Sequence, residues 1–306
     1  MIYLILSGRV GNQLFMFAAA EEVRKQFGGN DEIVVNDRDV LKNEWINSLK
    51  EYPLDNTRFT DEDYTKYAHG ISRQHILFRY YLDFVLPKDY SKKFEIEKKC
   101  CGKFNHNGLI LCQNGYLPYK DLKKKDDVVL MMGYFQSDRY FANIGETVKS
   151  EFDITANISK YVPGDFMEKF KTREVVCISA KVQHNVANPM YNVCTKEYWE
   201  KAIAYILDKV KNPLFFICSD NVEYVMNNLI DTSKYDVIEQ PKDMPVHIAL
   251  ALMSLSKHFI IGNTTYAWWA QYLCKNQDKI VVAPSRWMNC DMPIDIYQDG
   301  WKLIDV

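Results

Sequence analysis

The sequence predicts two doubly wound α/β domains, and three observations lead there. Residues 2–6 form a short apolar run of buried-strand type, a glycine-bearing turn follows at 8–13, and residues 14–27 carry a helical pattern. From residue 174 onward, apolar strands alternate with helical segments, the pattern of a parallel sheet with crossover helices. Between 153 and 172 that alternation lapses around Pro163-Gly164, which sets the expected domains at 1–160 and 161–306. A chain of 306 residues suffices for two such domains.

The elements follow in order. After the opening strand–turn–helix, residues 32–35 read as a second strand. The stretch from 36 to about 87 is irregular and aromatic-rich, with a helix expected over 64–84 that Gly70 weakens. A hairpin-like region comes next, and a basic run at 120–125 leads into a strand over 128–132. Gly133 to Ser137 ends that strand, and 138–152 reads as helix. In the second half, strands are expected at 174–180, 213–218, 235–238, 258–261 and 279–282. Helices are expected at 195–210, from about 220 to 229, at 246–255 and at 264–274.

Composition narrows the function. Lys and Arg number 38 against 40 Asp and Glu, and the resulting net charge of −2 gives no electrostatic basis for nucleic-acid binding. The 14% aromatic share suits both a packed core and a carbohydrate-handling surface, the core being the simpler use. Met1 precedes only a short apolar run with no basic leader, so a cytoplasmic protein is expected. Its eight cysteines are then reduced thiols, several of them inside apolar segments. Cys100, Cys101, His106 and Cys112 match no common zinc-finger spacing. No stretch reaches the roughly 20 apolar residues of a membrane span. The basic run allows at most peripheral contact with an anionic membrane face.

In open parallel sheets, ligands bind beyond the carboxyl ends of the strands. Four loops occupy that position here: Gly8–Gln13, Ser179–Asn185, Ser219-Asp220 and Gly262–Thr265. Singly, each reads as a turn or a helix cap, with Asp220, Asn263 and Thr264 all suited to capping. Together they read as the lining of a cleft. A dinucleotide oxidoreductase fits poorly, because Gly8-x-x-Gly11 lacks the Gly-x-Gly-x-x-Gly spacing.

Ser7-Gly8-Arg9-Val10-Gly11-Asn12-Gln13-Leu14-Phe15 resembles the Gly-Leu-Gly-Asn-Gln opening of the α-1,2-fucosyltransferase family. Gly133-Tyr134-Phe135-Gln136-Ser137 is similar to that family's Gly-Tyr-Trp-Gln-Ser segment. Leu252-Met253-Ser254-Leu255-Ser256-Lys257-His258 and Gly262-Asn263-Thr264-Thr265-Tyr266-Ala267-Trp268-Trp269 resemble its Leu-Met-Ser-x-Cys-Lys-His and Asn-Ser-Ser-Phe-Ser-Trp-Trp blocks. Val282–Trp287 and Trp301-x-x-Ile304-Asp305 match its closing segments, so the resemblance is colinear over nearly the whole chain. It implies a GT-B type glycosyltransferase with two Rossmann-like domains facing a cleft. The first domain would take a glycan or lipid-linked glycan acceptor and the second a nucleotide-sugar donor, with inversion at the anomeric carbon and no metal or other cofactor.

One signature departs from the family. Its donor motif, His-x-Arg-Arg-Gly-Asp, stands here as Ser179-Ala180-Lys181-Val182-Gln183-His184. Lys181 supplies positive charge as a point donor but not the bidentate fork of arginine. Ser179 and Ala249 align with the two positions that recognise guanine in related fucosyltransferases. A guanine edge left without its carboxylate loses on the order of 2 kcal/mol. The expected donor is GDP-fucose by resemblance, with a different nucleotide sugar such as a UDP-sugar as the alternative. A non-catalytic sugar- or nucleotide-binding relative is the third reading.

The expected catalytic residues are Lys181, against the leaving diphosphate, and His184, at the family's Asp position, as the base. Gly11, Asn12, Ser179, Gln183, Ser219, Asp220, Asn263, Thr264 and Thr265 are expected to bind the donor. Gln13, Tyr134 and Gln136 are expected on the acceptor side, although Asn12 and Gln13 equally suit tying their own loop. Trp268-Trp269 reads as core packing.

Overall fold

Strand β1 (Ile2–Ile5) is buried on both faces, as an apolar strand flanked by parallel neighbours must be. A computed structural model of the chain describes residues 1–62, 72–182 and 187–306. The chain divides into two units, Met1–Glu151 with Asp291–Tyr297, and Phe152–Cys290 with Gln298–Val306. The division falls earlier than the expected 160, and a short late segment belongs to the first unit. That segment is held by Asp295, whose carboxylate accepts from Tyr116 N at 2.7 Å and pairs with Arg139 at 3.3 Å.

The first unit is a five-stranded parallel sheet. Its strands are β1, β2 (Ile33–Asn36), β3 (Thr57–Thr60), β4 (Leu109–Cys112) and β5 (Val129–Gly133), in the order β3-β2-β1-β5-β4. Helix α1 (Val10–Gln26) starts four residues before the expected Leu14, so Gly11, Asn12 and Gln13 form its first turn. A short helix α2 (Arg38–Lys42) follows β2. Alternate residues of the sheet point to the opposite face, where Tyr3, Val34, Leu109, Leu111 and Leu130 pack against α3 (Arg73–Tyr80) and α4 (Tyr90–His106). The part of the expected 64–84 helix that covers 63–71 lies outside the described residues. A π-type turn, Tyr81–Val85, continues α3.

The hairpin-like region expected after Pro87 is instead α4, a helix of 17 residues. Its inward face carries Lys93 and Glu97 beside Phe104, so the apolar periodicity that marks a helix is broken by buried charge. Glu97 accepts from the Tyr81 hydroxyl at 2.8 Å and from Gln113 N at 3.2 Å. The predicted helix over 138–152 is two pieces. A 3₁₀ segment, Asp138–Ile144, is itself broken at Phe141, whose φ of −137° is non-helical, and runs on into α5 (Gly145–Glu151).

The second unit is a six-stranded sheet, again parallel throughout. Its strands are β6 (Glu174–Ala180), β7 (Pro213–Ser219), β8 (Val237–Glu239), β9 (His258–Ile261), β10 (Val281–Pro284) and β11 (Lys302–Ile304). Their order is β11-β10-β9-β6-β7-β8. Helix α6 (Gly164–Thr172) sends Phe166 and Phe170 onto Phe216, on one face of the sheet. Helix α7 (Lys196–Lys209) covers the other face with Tyr198, Trp199, Ala202, Ile203 and Ile206. A short helix α8 (Val222–Tyr224) precedes β8, and α9 (Val246–Ser254) and α10 (Thr265–Leu273) flank β9. Trp268 and Trp269 are fully buried, as expected for core residues. The eight cysteines are free thiols. Among the described residues, no helix is long and apolar enough to cross a membrane.

Gly133 closes β5 with a φ of +155°, and a Cβ there would overlap the Cys112 carbonyl oxygen of β4. Gly133→Ala must therefore separate the two strands. A loss of roughly 3 kcal/mol or more is expected in urea denaturation, against a few tenths at an unconstrained site.

Within α1, Glu21 is buried with one carboxylate oxygen 2.7 Å from Arg24 and the other unpaired. Burial pushes the Glu21 carboxyl up to about 7; Glu151 and, more weakly, Asp55 push the same way, and Arg24 opposes them. The folded chain thus holds a proton that the unfolded chain releases near 4.5, so stability falls as pH rises from about 4.5 to 7 and then levels off. Calorimetry at about pH 5 and about pH 8 checks this: Glu21→Gln should gain on the order of 2 kcal/mol relative to the parent at the higher pH only.

Candidate active site

At the carboxyl edge of the first sheet, β1 runs into Gly8, which takes a φ of +76°. Asn12 Nδ2 lies 2.6 Å from where a Cβ on that glycine would stand. The turn is held by Gln13. Its amide donates to the Gly8 carbonyl at 2.9 Å and the Ile46 carbonyl at 2.8 Å, and accepts from Ser48 N at 2.8 Å. Gln13 is wholly buried, so it offers no atom to an acceptor sugar and serves to tie the loop. Gly11 is also buried, in the first turn of α1.

The neighbouring strand β5 presents Tyr134 and Gln136 at the same edge, both half-buried. Phe135 between them has a φ of +51°, an uncommon conformation for an aromatic residue, and turns inward onto Tyr140 at 5.1 Å between ring centroids. That inward turn leaves its two neighbours at the surface. Gln136 Nε2 donates to Asn12 Oδ1 at 2.9 Å, and Ser7 Oγ donates to Asp39 at 2.6 Å. Burial raises the Tyr134 phenol above the ordinary tyrosine range, with a hydrogen bond to Ser7 acting the other way. Ser7, Asn12, Tyr134 and Gln136 thus form one polar edge of donors and acceptors without net charge of their own. Such a set suits sugar hydroxyls.

The second unit places its loops around β6. In register, Ala180 faces Ser219 of β7 and Ser179 faces Ile261 of β9. The chain goes from β6 to β7 on one side, while β9 lies on the other, so the carboxyl end of β6 is a topological switch point. Lys181, half-buried, is the first residue beyond it. Asp220 accepts from Val182 N at 2.7 Å and so anchors the Lys181 loop to the end of β7. The helix cap there is Asn221, which accepts from Tyr224 N at 3.0 Å, and Ser219 Oγ accepts from Asn221 N at 3.0 Å. Gln183 and His184 lie outside the described residues.

Across the switch point, Gly262 N donates to the Ser179 carbonyl at 2.8 Å, and a Cβ at Gly262 would stand 3.1 Å from that oxygen. The chain then enters α10, with Thr264 Oγ1 accepting from Ala267 N at 3.1 Å. Thr265 opens the first helical turn, at the positive end of the helix dipole. Asn263 is buried, and its amide donates to the carbonyls of Tyr191 at 3.1 Å and Trp287 at 2.9 Å. Its oxygen accepts from Cys194 Sγ at 3.5 Å, burial pushing that thiol up to about 12. Asn263 therefore joins three loops, and Ser179 is buried within the sheet. Of the residues expected to bind the donor, Ser219, Asp220, Thr264 and Thr265 stand at the accessible edge of this unit, together with Lys181, expected as a catalytic residue.

Beside Ser219 lies an open cavity of about 630 Å³, lined among others by Asn221, Glu223, Met226, Glu239, Gln240 and Asp243. Its size is that of a small-molecule site. These residues come from the loops after β7 and β8, and sequence reasoning passed over all but Ser219. The usable signal was the polar run Glu239–Asp243 directly following a strand.

The family model for glycosyl transferase family 11 matches residues 124–305. The O-antigen biosynthesis glycosyltransferase WbnK of Escherichia coli is 25% identical, over 98% of this chain and 99% of that one. An alpha-1,2-colitosyltransferase of Escherichia coli is 28% identical over 52% of this chain and 56% of its own length. Among solved structures, the NodZ alpha-1,6-fucosyltransferase soaked with GDP-fucose superposes with a TM-score of 0.55 at 12% identity, over 95% of this chain and 99% of that one. The fucosyltransferase NodZ from Bradyrhizobium gives 0.53 at 12% identity, over 88% of this chain and 92% of that one. The fold is thus GT-B, with two parallel-sheet α/β units, and the chain belongs to glycosyl transferase family 11, as a glycosyltransferase related to the fucosyltransferases.

Proposed function

We propose that the chain transfers a sugar, with inversion, from a nucleoside-diphosphate sugar to a hydroxyl of a glycan or lipid-linked glycan. The observation that carries this reading is the edge around β6, where Lys181 and the capped N-terminus of α10 flank one switch point. A diphosphate there meets one ammonium and the positive end of a helix. As the bond between the anomeric carbon and the β-phosphate oxygen breaks, its electrons stay on that oxygen, and Lys181 with the helix end stabilises them. The acceptor oxygen forms the new bond to the anomeric carbon, and its proton passes to a base, to which we assign His184. The charge on the leaving group is met by protein groups, so we read the reaction as metal-independent.

For the donor, the reading follows the sequence resemblance toward GDP-fucose, the sugar nucleotide with which the NodZ neighbour was soaked. Neither family guanine position helps: Ser179 and Ala249 are both buried, and neither carries a carboxylate. The cavity beside Ser219 brings carboxylates of its own, Glu223, Glu239 and Asp243, which have the acceptor chemistry that the N1–H and amino group of guanine require. A uracil base presents a single donor, N3–H, and so makes less use of paired carboxylates. The polar edge of Asn12, Tyr134 and Gln136 is the part suited to the acceptor.

Thermal-shift titration with GDP, UDP and their sugars tests the donor class, since a ligand of the native state raises its melting temperature. GDP and GDP-fucose should stabilise the protein. UDP alone doing so would move the donor to a uridine sugar, and no response to any of them would favour the non-catalytic reading. Lys181→Ala should weaken nucleoside-diphosphate binding about 10- to 100-fold and cut turnover at least as much, with the melting temperature of the unliganded protein unchanged. Unaltered binding would remove Lys181 from the phosphate role.

A further inference from the structure

The outer face of α3 and its π-type continuation is apolar where a surface helix is ordinarily polar. Residues 74, 77, 78, 81 and 85 face the sheet and are buried. On the opposite side, Ile76, Tyr80 and Phe84 follow one another at four-residue spacing, and they are 54%, 43% and 62% exposed. The Tyr80 and Phe84 rings stack on each other at 5.7 Å, so the stripe is one continuous apolar ridge. Tyr90, at the start of α4, adds a fourth exposed ring in the same pair of helices.

The charge around this ridge is net positive. Residues 73–106 hold eight Lys and Arg against four Asp and Glu, in a chain whose net charge is −2. Of the four acids, Glu97 is buried, Asp83 pairs with Arg79 and Asp89 with Lys92, and Glu95 is the exposed carboxylate set against the basic residues of α4. Arg73, Lys88, Lys98, Lys99 and Lys103 are exposed. The 120–125 basic run meets the far end of α4, where Lys123 N donates to the Asn105 carbonyl at 3.1 Å. An aromatic and aliphatic ridge bordered by lysine and arginine is the composition of a helix that lies in the headgroup layer of an anionic membrane. A partner surface of a second copy would meet the same positive charge on both sides, which opposes self-association.

We propose that α3 and α4 dock the first unit onto an anionic lipid bilayer, with Ile76, Tyr80 and Phe84 entering the interface and the basic residues of α4 engaging lipid headgroups. The docking needs no sugar transfer, so its test is independent of the donor reading. The full chain is sedimented with vesicles of phosphatidylcholine containing phosphatidylglycerol, and with pure phosphatidylcholine vesicles. Binding should occur to the anionic vesicles only and decline steeply with added salt. Tyr80→Ser with Phe84→Ser should lower the partition coefficient tenfold or more, with the melting temperature unchanged because both side chains are exposed. Lys98→Glu with Lys99→Glu should lower it without altering the ridge. Absence of binding to anionic vesicles, or binding by both double variants equal to that of the parent chain, overturns the proposal. So does light scattering that shows a dimer which the Tyr80/Phe84 variant converts to monomer, since the ridge would then be a self-interface.

Discussion

Strand β6 is hydrogen-bonded on both sides along most of its length, to β7 through seven register pairs and to β9 through four. That pairing sets everything at the carboxyl edge of the second sheet. Because all six strands run parallel, every strand-to-helix turn in the unit emerges at the same side of the sheet. Register then brings the end of β6 level with Ser219 and Ile261, so Lys181, Asp220 and Gly262 become neighbours although they are far apart in sequence. The Asp220–Val182 and Gly262–Ser179 hydrogen bonds complete the arrangement. A slip of one residue in β6 would turn Lys181 to the opposite face of the sheet.

The motif residues divide by role. Gln13 and Asn263 carry two of the most recognisable signatures of the chain, yet each uses its whole amide within the scaffold. They shape loops that other residues present. Asn12, Tyr134, Gln136, Lys181 and Thr265 are the ones left at an accessible edge, and in both units the glycines beside them allow the backbone to turn or approach closely. An amide that holds several carbonyls in a tight turn is as sequence-restricted as one that holds a ligand, so a motif alone does not separate the two.

Much of the second unit was legible because its strands are apolar runs separated by helices of clear period. Strands 174–180 and 258–261 have the expected bounds. Where buried charge replaced apolar residues, the pattern failed: Lys93 and Glu97 on the inward face concealed α4. Phe141 hid a break, since its non-helical φ leaves no mark in composition. The excursion of Asp291–Tyr297 into the first unit is held in part by the Asp295 carboxylate and the buried Ile296, long-range contacts for which a sequence gives no warning. The cavity beside Ser219 was missed because it is made by two loops that only the β7–β8 pairing brings together.

The central claim is that the diphosphate of a nucleotide sugar sits at the β6 switch point. Amide hydrogen exchange of the intact chain, with and without saturating GDP, tests it most directly. Protection of residues 181–182, 219–223, 239–243 and 262–267 is the predicted result, since the register gathers those segments around the switch point and the cavity beside Ser219. Protection that appears only in the first unit, with these segments unchanged while GDP is bound, would contradict the account.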